Sequence, residues 1–260
     1  MTIDELISRQ RPRRKVQGIA ANLLPYEPDG RVAVDAIARQ LTATHRAGLM
    51  NAVNMDTGYV NYLSDAEKQE VLSWTRQTLG KGVPFVAGAY IEHHAGDDIV
   101  TLYRKQIDDI VRWDGIPILF QTARLHGKSP AKIAEIYQDI CRDYPCVLAF
   151  ELGPVFAANG EIYDIETVRR LMDIPEIKGM KHSSLDRLLE LERLAVRDAH
   201  RPDFRIYTGN DLGINMIEYG SDYLLGLAAF APEKFAERDR LWEAADPEYY
   251  NLSDALQYLG

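Results

Sequence analysis

Cysteine is scarce in this chain, with only Cys141 and Cys146 among 260 residues. Both flank one predicted turn ahead of a strand. They form no disulfide framework, so a reducing cytoplasm suits them best. No apolar run approaches the roughly 18 residues a membrane helix needs. The opening MTIDELISRQRPRRK is polar and lacks the apolar core of a secretion signal. Positive charge is in deficit as well, with 30 Lys and Arg against 39 Asp and Glu and a net charge of -9. The one basic run, Arg11, Arg13, Arg14 and Lys15, precedes the first strand and reads as a solvated lead-in. Nucleic-acid binding wants a basic face, and none is visible. The expectation is a soluble, cytoplasmic protein with neither nucleic-acid nor membrane partners. No low-complexity linker or short repeat divides the chain.

Short β-prone runs are present in number, each followed by a segment of helical period. The strand candidates are Gln17–Asn22, Asn51–Met55, Pro84–Tyr90, Ile116–Gln121, Cys146–Glu151, Ile177–Lys181, Phe204–Thr208 and Tyr223–Leu227. Most are nearly continuous apolar runs, as in parallel strands covered by helices. The helix candidates are Val32–Arg46, Ser64–Thr78, Asp97–Val111, Ser129–Cys141, Ile165–Met172, Ser184–Val196, Asp211–Glu218 and Pro232–Glu243. Ser64 with Glu67 is a capping-box pattern, and Pro130 sits in a first helical turn. Eight alternations predict an α/β protein built as a (β/α)8 barrel. An open doubly wound sheet is the alternative, weakened because no Gly-rich dinucleotide fingerprint follows the first strand. The expected division is a lead-in over 1–15, the barrel over 16–243 and the start of a C-terminal helical region over 244–260. NLSDALQYL reads as the start of a further helix, so that region is expected to be shortened or incomplete.

Active sites of such barrels lie at the C-terminal ends of the strands. Lys181 ends the sixth strand, in EIKGMK. There its side chain would enter a barrel interior rich in Val, Ile and Leu. A desolvated interior disfavours the charged form of an amine. A neutral amine can attack a ketone and form an imine, which serves as an electron sink for C–C cleavage, condensation or water loss.

The chain resembles the dihydrodipicolinate synthase / N-acetylneuraminate lyase family over nearly its whole length. ETVRRLMDIPEIKGMKHSS is similar to the family's approach to its Schiff-base lysine. LLPYEPDGRVAVDAIARQL resembles the first strand, loop and helix. DTGYVNYLSDAEKQEV resembles an altered Gly-Thr-Thr-Gly-Glu loop, PFVAGAY the third strand, and IYTGNDL the Ser-Gly-Asp-Asp turn after strand seven. The resemblance implies a barrel with a small helical C-terminal region and a pyruvate-like 2-oxo acid substrate. It implies a homodimer or homotetramer, and no metal or cofactor beyond a covalent imine on Lys181.

The departures from the family are informative. The family's strand-five tyrosine carries protons over the imine, and here CVLAFELGP offers Ala149 or Phe150 at that position. Glu151 is the nearby group able to act as acid or base. The paired threonines are reduced to Asp56, Thr57 and Gly58, and Tyr59 is a candidate to supply the missing phenol. No arginine occurs from Ala149 to Asp164, where lysine-biosynthesis members hold a second carboxylate. These changes argue against dihydrodipicolinate synthase activity itself. The expected catalytic residues are Lys181, Glu151 and Tyr59. The expected substrate contacts are Asp56, Thr57, Gly58, Phe150, Gly209 and Leu225.

Two further clusters fall at the same rim. In Tyr90-Ile91-Glu92-His93-His94, Glu and His at a strand end suit a divalent metal, although adjacent histidines point different ways on extended backbone. Arg124, His126 and Lys128 could receive an acidic or polyhydroxylated substrate such as a 2-keto-3-deoxy sugar acid. The leading expectation is an aldolase or dehydratase of the Schiff-base type. The alternatives are an impaired family member that binds a metabolite, and a metal-dependent isomerase or hydrolase using Glu92, a histidine and Asp56.

Overall fold

Eight short strands pair side by side, all parallel, and close into a ring in chain order. A computed structural model describes residues 2–96 and 98–260. The strands are β1 Gly18–Ala21, β2 Met50–Val53, β3 Phe85–Ala89, β4 Ile116–Leu119, β5 Val147–Leu152, β6 Ile177–Ser183, β7 Arg205–Thr208 and β8 Asp222–Leu225. The ring closes where Ile19 of β1 pairs with Leu224 of β8. The (β/α)8 expectation therefore holds, with strand ends placed within a few residues.

Helices cover the outside: α1 Ile3–Ser8, α2 Val34–Ala47, α3 Asp65–Leu79, α4 Ile99–Arg112, α5 Pro130–Cys141, α6 Ile165–Met172, α7 Arg187–His200, α8 Pro232–Ala244 and α9 Glu248–Gln257. The expected capping box is present, with Ser64 and Glu67 each accepting the other's backbone amide. The expected start of the third helix, Asp97, lies outside the described residues; α4 is capped by Asp98. Two segments differ from expectation. The lead-in carries a short helix, α1, held by a Thr2–Glu5 capping box. The stretch Asp211–Glu218 is not an α-helix but yields a 3-10 turn over Ile214–Tyr219. There the Asn210 side chain accepts the Leu212 amide, and Gly213 has non-helical dihedrals. Those local bonds compete with a helical start.

Strand side chains alternate between two cores. Ile19, Ala52, Val86, Ile118, Leu148, Phe150, Tyr207 and Leu224 fill the barrel. Phe85, Ala87, Leu119, Val147, Ala149, Ile177 and Met180 face the helices. One irregularity matters for the site. Val147 pairs with Ile177, but the next residue, Leu148, pairs with Gly179. Lys178 is the extra residue of a bulge, and such an insertion inverts which residues face inward beyond it. Ile177 faces the helices below the bulge, while Gly179, Lys181 and Ser183 face the interior above it.

Gly179 is sterically compelled. A β-carbon there would lie 2.7 Å from the Arg205 carbonyl oxygen and 2.9 Å from the Tyr207 ring. Gly179→Ala should therefore cost about 1–3 kcal/mol of stability through overpacking. Urea unfolding measures this, and an unchanged midpoint would contradict the packing described.

Candidate active site

Lys181 is 3% exposed, near the C-terminal mouth of the barrel. Its Nζ lies 3.6 Å from Asp56 Oδ1 and 4.3 Å from the centre of the Phe150 ring. Gly209, at the end of β7, leaves room for the lysine stem: a β-carbon there would stand 2.6 Å from Lys181 Cε and 2.1 Å from Ser183 Oγ. Two residues on, Asp211 is the second carboxylate near the amine. Burial raises its pKa, and Asp56 adds to that. The Leu227 amide, which Asp211 Oδ1 accepts at 3.0 Å, and the charge of Lys181 oppose the shift.

Asp56, Thr57 and Gly58 form a 3-10 turn directly after β2. The Asp56 side chain is 41% exposed, so it links the buried amine to solvent. The Thr57 hydroxyl donates toward the carbonyls of Ala21 and Asn22, at 3.1 and 3.2 Å, and so pins the turn to β1. Gly58 is buried, and its amide donates to Met55. Tyr59 stands in the left-handed region at φ 60°, with a half-exposed ring tilted against Tyr26 at 6.3 Å. It lines the outer cleft.

The alternative between Ala149 and Phe150 is settled by register, because Phe150 pairs with Lys181 and shares its face. Two expected site residues are not brought to the amine. Glu151 pairs with His182 on the helix-facing side. It accepts from His182 Nδ1 at 2.6 Å, from Arg193 Nε at 2.8 Å and Nη2 at 3.2 Å, and from the Tyr163 amide at 3.0 Å. Burial alone would raise the Glu151 pKa, but His182 and Arg193 outweigh it and hold the carboxyl below its usual range. Leu225 is also turned outward and packs in the cluster containing Phe235 and Trp242, while Leu224 faces the interior. Both corrections follow from strand alternation.

The rim clusters disperse in the same way. Glu92 accepts the Ala123 amide at 3.1 Å, His94 pairs with Asp65 at 3.0 Å, and His93 Nε2 lies 3.4 Å from the Tyr90 hydroxyl. Among the described residues, no three His, Cys, Asp or Glu side chains converge as a metal site requires. Arg124 does not reach for substrate; it donates to the carbonyls of Ile91 and His94 at 3.2 and 2.5 Å. His126 Nε2 lies 3.2 Å from the Asn159 carbonyl. A cleft of about 380 Å³ reaches the lysine through Asp56, with Asp56, Tyr59, Tyr90, Phe120 and Phe156 among its walls.

Sequence reasoning missed Asp211, Arg193 and the aromatic walls. TGND after strand seven was the available signal for Asp211. For Arg193 it was a charged residue between Leu191 and Leu194, on the apolar face of a helix.

The barrel is similar to solved structures of the dihydrodipicolinate synthase family. A prophage protein of that family from E. coli K12, in complex with pyruvate, gives a TM-score of 0.80 at 15% identity, over 93% of this chain and 80% of its own. The dihydrodipicolinate synthase of Acinetobacter baumannii complexed with pyruvate gives 0.76 at 18% identity, over 95% and 82%. That of Thermotoga maritima gives 0.76 at 14% identity, over 95% and 81%. At these identities the likeness is one of fold. No protein-family model matches the chain, and no curated protein does.

The buried ion cluster behind the lysine generates a prediction. Arg193→Met removes one partner and leaves Glu151 charged in the interior, at a cost of about 3–5 kcal/mol. The folded-state pKa of Glu151 is below its ordinary 4.5, so its contribution to stability is complete above that value and is lost as pH falls through the folded value. In Arg193→Met this acid-side loss should begin at higher pH. Thermal unfolding across pH 3–7 measures both effects, and curves that superimpose on wild type would refute them.

Proposed function

We propose that this chain is a Schiff-base lyase, an aldolase or dehydratase acting on a 2-oxo acid such as pyruvate, and a divergent member of the dihydrodipicolinate synthase / N-acetylneuraminate lyase family. The observation that carries the reading is one buried lysine amine, at the C-terminal end of a closed barrel, set between the face of Phe150 and the Asp56 carboxylate, with Asp211 in electrostatic reach.

The steps follow from that geometry. The amine attacks the ketone carbon and water leaves, giving an imine. Its positive charge rests over the face of Phe150, a favourable cation–π placement. Loss of a proton from the neighbouring carbon gives an enamine. Phe150 has no hydroxyl, and the Thr57 hydroxyl is engaged with β1, so of the two nearby carboxylates Asp56, 3.6 Å from the amine, is the one assigned to carry that proton. The first-turn amides of Asp56 and Thr57 are the donors available to the substrate carboxylate. Dihydrodipicolinate synthase activity itself is disfavoured, because Phe150 offers no phenol at the imine and no arginine occurs from Ala149 to Asp164. A homodimer or homotetramer belongs to this reading. Phe150 also motivates a second reading, an impaired relative that forms an imine without turnover.

Two experiments decide between them. Borohydride with pyruvate should reduce the imine and place the adduct mass on Lys181, and Lys181→Met should abolish it. No adduct with a broad panel of 2-oxo acids would reject the proposal. Asp56→Asn should keep the trapped adduct while lowering kcat by roughly 10²–10⁴-fold. If wild type traps pyruvate yet turns nothing over with any aldehyde, the impaired reading stands.

A further inference from the structure

The cleft that Asp56 joins to Lys181 has a chemical character of its own. Its volume, about 380 Å³, falls in the range of small-molecule sites, roughly 300–1,000 Å³. Two contacts join it to the amine. Asp56 lines the cleft and lies 3.6 Å from Lys181 Nζ. Phe120, on the wall, meets Phe150 edge-on at 4.8 Å, and Phe150 carries the amine on its face.

Six rings stand in its walls, Tyr59, Tyr62, Tyr90, Phe120, Phe156 and the imidazole of His93, with Asn61, Asn159 and aliphatic side chains between them. Tyr90 packs edge-on against Phe120 at 5.6 Å, so the inner rings form a continuous series ending under the lysine. Among the described lining residues none is lysine or arginine, and Asp56 is the one acid. Arg124, the nearest basic side chain after β4, is already held by two backbone carbonyls. A phosphate or second carboxylate would meet a like charge and no cation. A flat, uncharged ring would meet edges and faces at stacking distance.

We infer that this cleft takes an uncharged aromatic aldehyde as the second substrate, or releases one as the cleavage product. The inference rests on the Schiff-base reading of Lys181. In the condensing direction, the enamine carbon derived from pyruvate attacks the aldehyde carbon and a C–C bond forms. The aldehyde oxygen takes the proton that Asp56 removed. Water then hydrolyses the imine, freeing the lysine and a 4-aryl-4-hydroxy-2-oxo acid. Pyruvate plus aldehyde equals product, and no oxidant or cofactor enters. Tyr90, whose hydroxyl lies in the cleft beside His93, is placed to hydrogen-bond the aldehyde oxygen or a ring substituent.

The test gives purified protein pyruvate with benzaldehyde, glyceraldehyde, or glyceraldehyde 3-phosphate, and follows product by mass spectrometry. The expected result is a kcat/KM for benzaldehyde at least tenfold above the others, with Phe156→Ala raising its KM several-fold. Preference for the sugar or the phosphorylated aldehyde overturns the inference, as does an unchanged KM in Phe156→Ala. Saturation-transfer NMR with benzyl alcohol and with benzoate separates the two levels of the argument. Benzyl alcohol binding without pyruvate trapping sustains the cleft and removes the Schiff base. Pyruvate trapping without benzyl alcohol binding, or with benzoate bound better, removes the cleft.

Discussion

Side chains on a strand alternate faces, and in a closed barrel each face has one destination. This constraint sorts the strand residues around Lys181. Above the bulge at Lys178, the odd residues of β6 look into the barrel and the even ones toward the helices. Lys181 therefore meets Phe150 and Asp56, while its neighbour His182 meets Glu151, which also holds Arg193. The chemistry and its support are successive residues of one strand, facing opposite ways.

The support is an ionic cluster in a buried place. Glu151 makes four hydrogen bonds to groups from β6, α7 and the segment before α6. A carboxylate is costly to bury unless its lone pairs are occupied in this way. Once occupied, the bonds fix β5, β6 and α7 relative to one another. The lysine stem runs past the bare face of Gly209 to the ring of Phe150.

Much of this was legible in the sequence. The eight apolar runs could be read because parallel strands covered on both sides need them. Ser64 and Pro130 marked helix starts because their chemistry suits no interior turn. Lys181 was legible because a lysine closing an apolar strand is unusual in itself. Glu151 was misplaced because alternation within β5 sends it to the opposite face from Phe150, and sequence alone does not say which face looks inward. Leu225 was misplaced by the same alternation, one residue beyond the inward-facing Leu224 of β8. Arg124 looked free because sequence shows a side chain's charge and not the carbonyls that hold it. Asp211–Glu218 had helical spacing, but local bonds from Asn210 prevailed.

Closure of the ring has a consequence for how the protein is made. Gly18 pairs with Tyr223, so the first strand lacks one neighbour until most of the chain has left the ribosome. Contacts this distant in sequence are slow to form. Until then, the surroundings that set Lys181 apart do not exist, and on the growing chain it is one more solvated amine. The burial of that amine is thus absent from the nascent polypeptide and arrives with the last strand.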